Sequence, residues 1–209
     1  MCFRTEWECS RQQLTATCLM LNGVLMYLYV GALFQYLYVL WHLGTDHQFG
    51  TLYITISWVE AICLFVLLVD LICIGFKWRN VLLGLMVVVF MIGLFLMVAG
   101  SISIAKYTDV YMVVRSFYSD SLWSYETSFE CCGINGPSDY GNPTVLDDIP
   151  LTCFEGRVSK PELLYNRGCI YATDDNWFWF VFENCYWFAF ILCGVNLVTH
   201  WKLWQRIQY

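Results

Sequence analysis

Charge is scarce in this sequence. Only 13% of its 209 residues are Asp, Glu, Lys or Arg, whereas soluble domains carry about 25%. The net charge of −6 and the lack of a basic patch argue against a nucleic-acid partner. Histidine is also rare, and His42, His47 and His200 are scattered at the ends of apolar runs. Without metal-ligand spacing or a phosphate-binding glycine loop, the sequence predicts no enzymatic activity, cofactor or metal.

Long apolar runs take the place of charge. The chain is 59% hydrophobic, and four runs reach the roughly 20 residues that a helix needs to cross a bilayer. A buried helix of a soluble protein explains one such run but not four, so the sequence predicts an all-α membrane protein with four transmembrane helices. The predicted segments are a tail at 1–13, spans at 14–40, 52–76, 81–105 and 178–200, connections at 41–51, 77–80 and 106–177, and a tail at 201–209.

The distribution of Lys and Arg predicts the orientation, because short basic segments stay in the cytosol. Both tails and the 77–80 connection carry these residues, whereas the 41–51 connection has none. We therefore expect the tails and the 77–80 connection to be cytosolic. The small 41–51 loop and the large 106–177 loop are then extracellular.

Four cysteines fall in the large loop, where an oxidising compartment favours disulfides. They are Cys131, Cys132, Cys153 and Cys169. Adjacent cysteines are poor partners for each other, since consecutive Cα atoms lie about 3.8 Å apart, below the usual range for a disulfide. Two pairings remain, 131–169 with 132–153 or 131–153 with 132–169. A zinc site is the weaker alternative, because no Cys-x-x-Cys pair is present.

The cysteines on the predicted cytosolic side are candidates for S-palmitoylation. They are Cys2, Cys9, Cys18 and Cys73. For Cys18 and Cys73 the alternative is that each is only a small apolar packing residue. Cys63, Cys185 and Cys193 fall inside predicted spans and are interpreted as packing residues.

The four spans, the two unequal loops and the stretch "FECCGINGPSDY" together resemble the tetraspanin family. Gly133 completes the Cys-Cys-Gly motif, Pro150 lies in "IPLTC", which ends at Cys153, and Gly168 precedes Cys169 in "YNRGC". Asn22 lies where the family carries an asparagine in its first helix, and "CIGFKWRNVLLGL" resembles the joint between the second and third helices. The resemblance implies the pairing Cys131–Cys169 with Cys132–Cys153.

The large loop departs from the family in its first part. Only about 25 residues separate the third span from Cys131, so the helical stalk is short. We expect one helix at about 106–117 and a second at about 122–130. No glycosylation acceptor is present in the outer loops, because Pro143 blocks the single candidate at Asn142.

Five polar residues within the predicted spans are candidates for a functional role. Three of them, Asn22, Asp70 and Asn196, are expected at a similar depth near the cytosolic side, from the helical rise of about 1.5 Å per residue. We predict a hydrogen bond between Asp70 and Asn22, with Asn196 as a third member; the alternative is that Asp70 reaches the headgroups. The other two, Glu60 and Glu183, lie in the outer half. Gly31, Gly84 and Gly93 are predicted to allow close helix approach.

The resemblance implies a non-enzymatic organiser of membrane proteins. Its partners would be other membrane proteins, further copies of the chain, and membrane lipids such as sterol. It would reside in the plasma membrane or in endosomal membranes. The alternative is a subunit of a channel or transporter that uses the intramembrane acidic residues.

Overall fold

The computed structural model describes residues 11–45, 50–76, 78–106, 109–142, 145–172 and 185–206. These residues form α-helices and short 3₁₀ turns, with one isolated antiparallel bridge between Phe154 and Leu164. The prediction of an all-α chain is therefore confirmed. The α-helices are α1 Arg11–Leu43, α2 Gly50–Phe76, α3 Arg79–Lys106, α4 Val110–Tyr118, α5 Trp123–Phe129 and α6 Cys185–Arg206.

Three helices are long and apolar enough to cross a membrane. Their apolar stretches are Gln12–Leu43, Gly50–Phe76 and Val81–Ser103, close to the predicted spans at 14–40, 52–76 and 81–105. The predicted fourth span begins at 178, outside the described residues. Its described part belongs to α6, which runs to Arg206, beyond the predicted end at His200. A fourth membrane crossing remains a prediction.

The chain divides into two compact units, and the first comprises residues 1–37, 45–100 and 183–209. Its core contains apolar side chains from all four long helices, including Leu25 of α1, Leu67 of α2, Leu96 of α3 and Ala189 of α6. The buried positions recur at intervals of three and four residues, as helical geometry requires. The opposite faces are also apolar, which is typical of helices surrounded by lipid.

The second unit comprises residues 38–44 and 101–182 and contains the large loop. Its two helices, α4 and α5, lie within or close to the helices expected at 106–117 and 122–130. The Asp109 carboxylate accepts the Met112 N–H at 3.1 Å and caps the start of α4. Glu130 adopts a left-handed conformation that ends α5 directly before the adjacent residues Cys131 and Cys132.

The loop after α5 has only a small apolar core. Cys132, Ile149, Cys153 and Phe154 are buried together, and the backbone between them forms 3₁₀ turns. So few apolar side chains provide little burial energy, which is why this segment depends on its cross-links.

Candidate functional site

Two disulfides hold the loop. Cys131 bonds to Cys169 and Cys132 to Cys153, with Cα separations of 5.0 and 4.8 Å. This is the pairing that the resemblance implies. All four cysteines are buried. The two bonds join the segments around Cys153 and Cys169 to neighbouring positions directly after α5.

The motif glycines lie where these segments cross. Gly133 has a φ of +63°, and a Cβ there would lie 2.4 Å from the Gly136 carbonyl oxygen. At Gly168 a Cβ would lie 2.3 Å from the Asn135 carbonyl carbon. The close approach permits the Cys169 N–H to donate to the Gly133 carbonyl at 3.0 Å. Any larger residue at either glycine would push the two segments apart.

Pro150 begins the turn that brings Cys153 to its partner. Its φ is −56°, which the proline ring favours. Its carbonyl accepts the Cys153 N–H at 3.0 Å. The proline thus fixes the backbone direction at the start of the turn that carries Cys153 to Cys132.

Sequence reasoning missed Glu126, the buried carboxylate of the loop. Its side chain on α5 is 1% exposed and accepts hydrogen bonds from the Gly133 N–H at 3.2 Å and the Tyr140 hydroxyl at 2.6 Å. The Thr152 hydroxyl donates to its second oxygen. Burial raises the pKa of the Tyr140 phenol, and the bond to Glu126 raises it further, so this hydroxyl remains a donor.

The same carboxylate lies beside the second disulfide, with Glu126 Oε1 3.3 Å from Cys153 Sγ. A carboxylate and two sulfurs within 4.8 Å of one another have the spacing of a metal site. Both sulfurs, from Cys132 and Cys153, are bonded to each other, so neither can act as a thiolate ligand. Glu126 therefore serves as a hydrogen-bond acceptor that joins α5 to residues 131–169, the segment closed by the two disulfides and called the stapled segment below.

Large apolar side chains are exposed on the loop. Trp123 at the start of α5 is 60% exposed, Tyr118 at the end of α4 is 54% exposed, and Leu151 is 55% exposed. Residues 155–162 are also exposed and leave the stapled core beside the Phe154–Leu164 bridge. Exposed aromatic and aliphatic groups on a cross-linked scaffold are typical of a protein-binding surface.

The first compact unit, called the helical unit below, contains a buried polar group termed the Asp70 cluster. Its members are Asn22, Asp70, Asn196 and His200. Asn22 Nδ2 donates to Asp70 Oδ2 at 2.5 Å, and Asn196 Nδ2 donates to Asn22 Oδ1 at 2.5 Å. The hydrogen bond predicted between Asn22 and Asp70 is present, and Asn196 is its third member. All four side chains are fully buried.

His200 is the member that sequence reasoning missed, since it was interpreted as a residue at a membrane end. Its Nε2 lies 3.0 Å from Asp70 Oδ2, and its Nδ1 lies 2.9 Å from the Asn196 carbonyl oxygen. The Cys18 thiol adjoins the ring.

Glu60 lies in a separate polar group with Tyr186, termed the Glu60 cluster. Tyr186 donates its hydroxyl to Glu60 Oε1. Glu60 Oε2 and Ser57 Oγ have no hydrogen-bond partner among the described residues. On the buried face of α2, Cys63 and Leu67 separate Glu60 from Asp70, a distance of about 15 Å along the helix axis.

Two of the cysteines considered for palmitoylation are buried. Cys18 is 0% and Cys73 is 1% exposed, and both belong to an apolar cluster with Leu82 and Leu203. This burial favours the alternative that both are small apolar packing residues, and their palmitoylation stays a prediction. Cys63 and Cys193 are buried in the helical core, as predicted for packing residues. Cys2, Cys9 and Glu183 lie outside the described residues.

The glycine prediction is correct at only one of three positions. A Cβ on Gly93 would lie 3.2 Å from Cys193 Sγ and 3.3 Å from Tyr29 Oη. At Gly31 and Gly84 no atom of another element lies within 4 Å of such a Cβ. Close helix approach therefore depends on Gly93.

Comparison with protein-family models, curated proteins and solved structures finds no match for this chain.

Proposed function

We propose that the chain is a tetraspanin-like membrane organiser with four spans and no enzymatic activity. It presents the large loop on the extracellular side and uses it to bind other membrane proteins laterally. Further copies of the chain and membrane lipids such as sterol are additional partners. The plasma membrane is the proposed location, with endosomal membranes as a second one.

The surface of the stapled loop carries this proposal. Leu151 is exposed on the segment that the two disulfides close, and Trp123 is exposed on α5, which Glu126 joins to that segment. Tyr118 is exposed at the end of the preceding helix, α4. A rigid scaffold lowers the entropy lost when exposed groups bind a partner. Aromatic side chains of this kind contribute most of the binding energy at protein interfaces.

The alternative function, a channel or transporter subunit, rests on the buried acids Glu60 and Asp70. Ion or proton passage needs polar groups that connect through the middle of the membrane. Between the two clusters, the described core contains Leu25, Leu67 and Val89, and its polar groups include the Tyr29 hydroxyl, which lies 3.6 Å from the Cys193 thiol. The apolar side chains at this level favour the organiser, in which each cluster joins helices through hydrogen bonds worth about 0.6 kcal/mol apiece.

Acyl chains on the N-terminal tail would favour clustering in the membrane. We assign them to Cys2 and Cys9, because Cys18 and Cys73 are buried. Acyl-exchange labelling of the Cys2→Ser/Cys9→Ser variant should lose most of its signal. The Cys18→Ser/Cys73→Ser variant should keep its signal.

Photo-crosslinking in cells tests the proposed binding surface. A photoreactive amino acid is placed at Trp123, or at Ser128 as a control, since both are exposed on α5 and lie about 140° apart around the helix. Discrete protein adducts from position 123 and none from 128 are expected. Equal adducts from both positions, or none from either, contradict the proposal. Ion flux into liposomes containing only this protein would favour the alternative.

A further inference from the structure

The imidazole of His200 lies between two hydrogen-bond acceptors inside the helical unit. Nδ1 faces the Asn196 carbonyl oxygen at 2.9 Å, and Nε2 faces Asp70 Oδ2 at 3.0 Å. The residue is fully buried, as is Asp70. The ring therefore has no contact with water that could satisfy either nitrogen.

This placement determines how many protons the pair holds. A backbone carbonyl only accepts, so Nδ1 must carry a hydrogen. In a neutral ring Nε2 would then present a lone pair to Asp70. A favourable contact requires one more proton between Nε2 of His200 and Oδ2 of Asp70. That proton makes either an imidazolium with a carboxylate or a neutral imidazole with a carboxylic acid, and both pairs have zero net charge.

The neighbouring amides support a proton at this position. Asn22 donates to the same Oδ2 atom of Asp70, and Asn196 donates to Asn22. Both amide groups thus donate in the same direction along this series of hydrogen bonds, which ends at the carboxylate of Asp70. Asp70 Oδ1 has no hydrogen-bond partner among the described residues.

Other ionisable groups near the pair are few among the described residues. Cys18 of α1 adjoins the imidazole, and Cys73 lies one turn from Asp70 on α2. From α3, the Met86 sulfur contacts Asn196 at 3.8 Å and carries no charge. Lys202 follows His200 on α6, about 200° around that helix.

We propose that Asp70 and His200 form a proton-binding site that holds one proton as a unit and locks α1, α2 and α6 together only in that state. Losing the proton leaves a net negative charge, and gaining another leaves a net positive charge. Either charge is expensive in a buried site surrounded by apolar helices. This inference goes beyond the proposed function, because it depends on no partner of the loop.

The sign of the pH dependence follows from proton counting. In an unfolded chain a histidine loses its proton near pH ~6.5, and an aspartate gains one near pH ~3.9. Between these values the folded and unfolded states hold the same number of protons, so stability is constant. Above about pH 6.5 the folded pair keeps a proton that the unfolded chain releases. Each further pH unit should then raise the unfolding equilibrium constant by about tenfold until the folded pair itself deprotonates.

Unfolding of the full chain in mixed micelles tests this slope. The wild type is compared with the Asp70→Asn/His200→Gln variant, whose amides can bond without titrating, from about pH 5.5 to about pH 9. Above neutrality, the unfolding equilibrium constant of the wild type should rise about tenfold per pH unit relative to that of the variant. A His42→Gln variant should keep the wild-type slope. If the unfolding equilibrium constants of the wild type and the double variant change with pH in the same way, the proposal is overturned.

A second measurement applies even if the double variant fails to fold. Nitrogen-15 NMR of histidine-labelled protein reports which ring nitrogens carry hydrogen, and the His42→Gln and His47→Gln variants assign the His200 signals by elimination. At neutral pH, His200 should show a hydrogen on Nδ1 and, at Nε2, either a bound hydrogen or the chemical shift of a nitrogen that accepts a hydrogen bond from the Asp70 acid. An unprotonated Nδ1, or an Nε2 that takes part in no hydrogen bond, contradicts the proposed site.

Discussion

The amide of Asn22 donates a 2.5 Å hydrogen bond to the carboxylate of Asp70, where neither side chain meets solvent. This contact joins α1 to α2. Asn22→Leu and Asp70→Leu should therefore be coupled in a double-mutant cycle of unfolding free energy. Interhelical hydrogen bonds in membranes couple by about 0.6 kcal/mol on average and by about 1.7 kcal/mol at most.

A matched cycle between Asn22→Leu and Glu60→Leu serves as the control. Glu60 belongs to the other cluster, about 15 Å further along α2, so this pair should be additive. Equal coupling in both cycles would contradict the contact.

The two disulfides should contribute unequally to the stability of the loop. Cys131–Cys169 closes a separation of 38 residues and Cys132–Cys153 one of 21. The chain-entropy relation gives roughly 4 and roughly 3 kcal/mol. Replacing both members of the first pair by serine should reduce surface display more than replacing both members of the second.

Peptide mapping without reduction identifies the bonds directly. The expected fragments join 131 to 169 and 132 to 153. A fragment joining Cys131 to Cys153 would contradict the pairing. Cys131→Ser and Cys169→Ser should be equally damaging, because each leaves the other sulfur unpaired.

Glu126→Gln should loosen the stapled segment, because an amide cannot accept all the hydrogen bonds that the carboxylate receives. Bonds to charged groups contribute about 1.5–3 kcal/mol each, so we expect a loss of roughly 3 kcal/mol. Hydrogen exchange at the Gly133 N–H is the measurement. The exposed Glu130, at the end of the same helix, provides the control variant Glu130→Gln. Equal exchange in the two variants would rule out the role assigned to Glu126.

Gly93→Ala should destabilise the helical unit by about 1–3 kcal/mol through overpacking. The added methyl group would press on Cys193 and Tyr29. Gly84→Ala on the same helix meets no atom of another element within 4 Å and should leave unfolding in micelles unchanged or slightly stabilised. If Cys193→Ala in the Gly93→Ala background fails to restore part of the loss, the steric explanation is wrong.

The sequence predicted the features that depend on regular geometry. A fixed rise per residue placed Asn22, Asp70 and Asn196 at one depth, and apolar length gave the three helices that can cross a membrane. His200 was misplaced because α6 continues to Arg206, so the residue lies well inside the helix. Glu126 could not be identified because its partners, Gly133, Tyr140 and Thr152, meet it only through the folded loop.

We propose that the chain crosses the membrane four times with the large loop outside the cell, and glycosylation mapping tests this claim directly. The chain has no Asn-x-Ser/Thr acceptor of its own. Arg157→Asn completes one with Val158 and Ser159 at an exposed position whose φ is +58°, a conformation that asparagine tolerates. Control chains carry an acceptor in a flexible extension before Met1 or after Tyr209. We predict glycosylation of the Arg157→Asn variant and of neither extension. An unmodified Arg157→Asn variant together with a modified extension would contradict the claim.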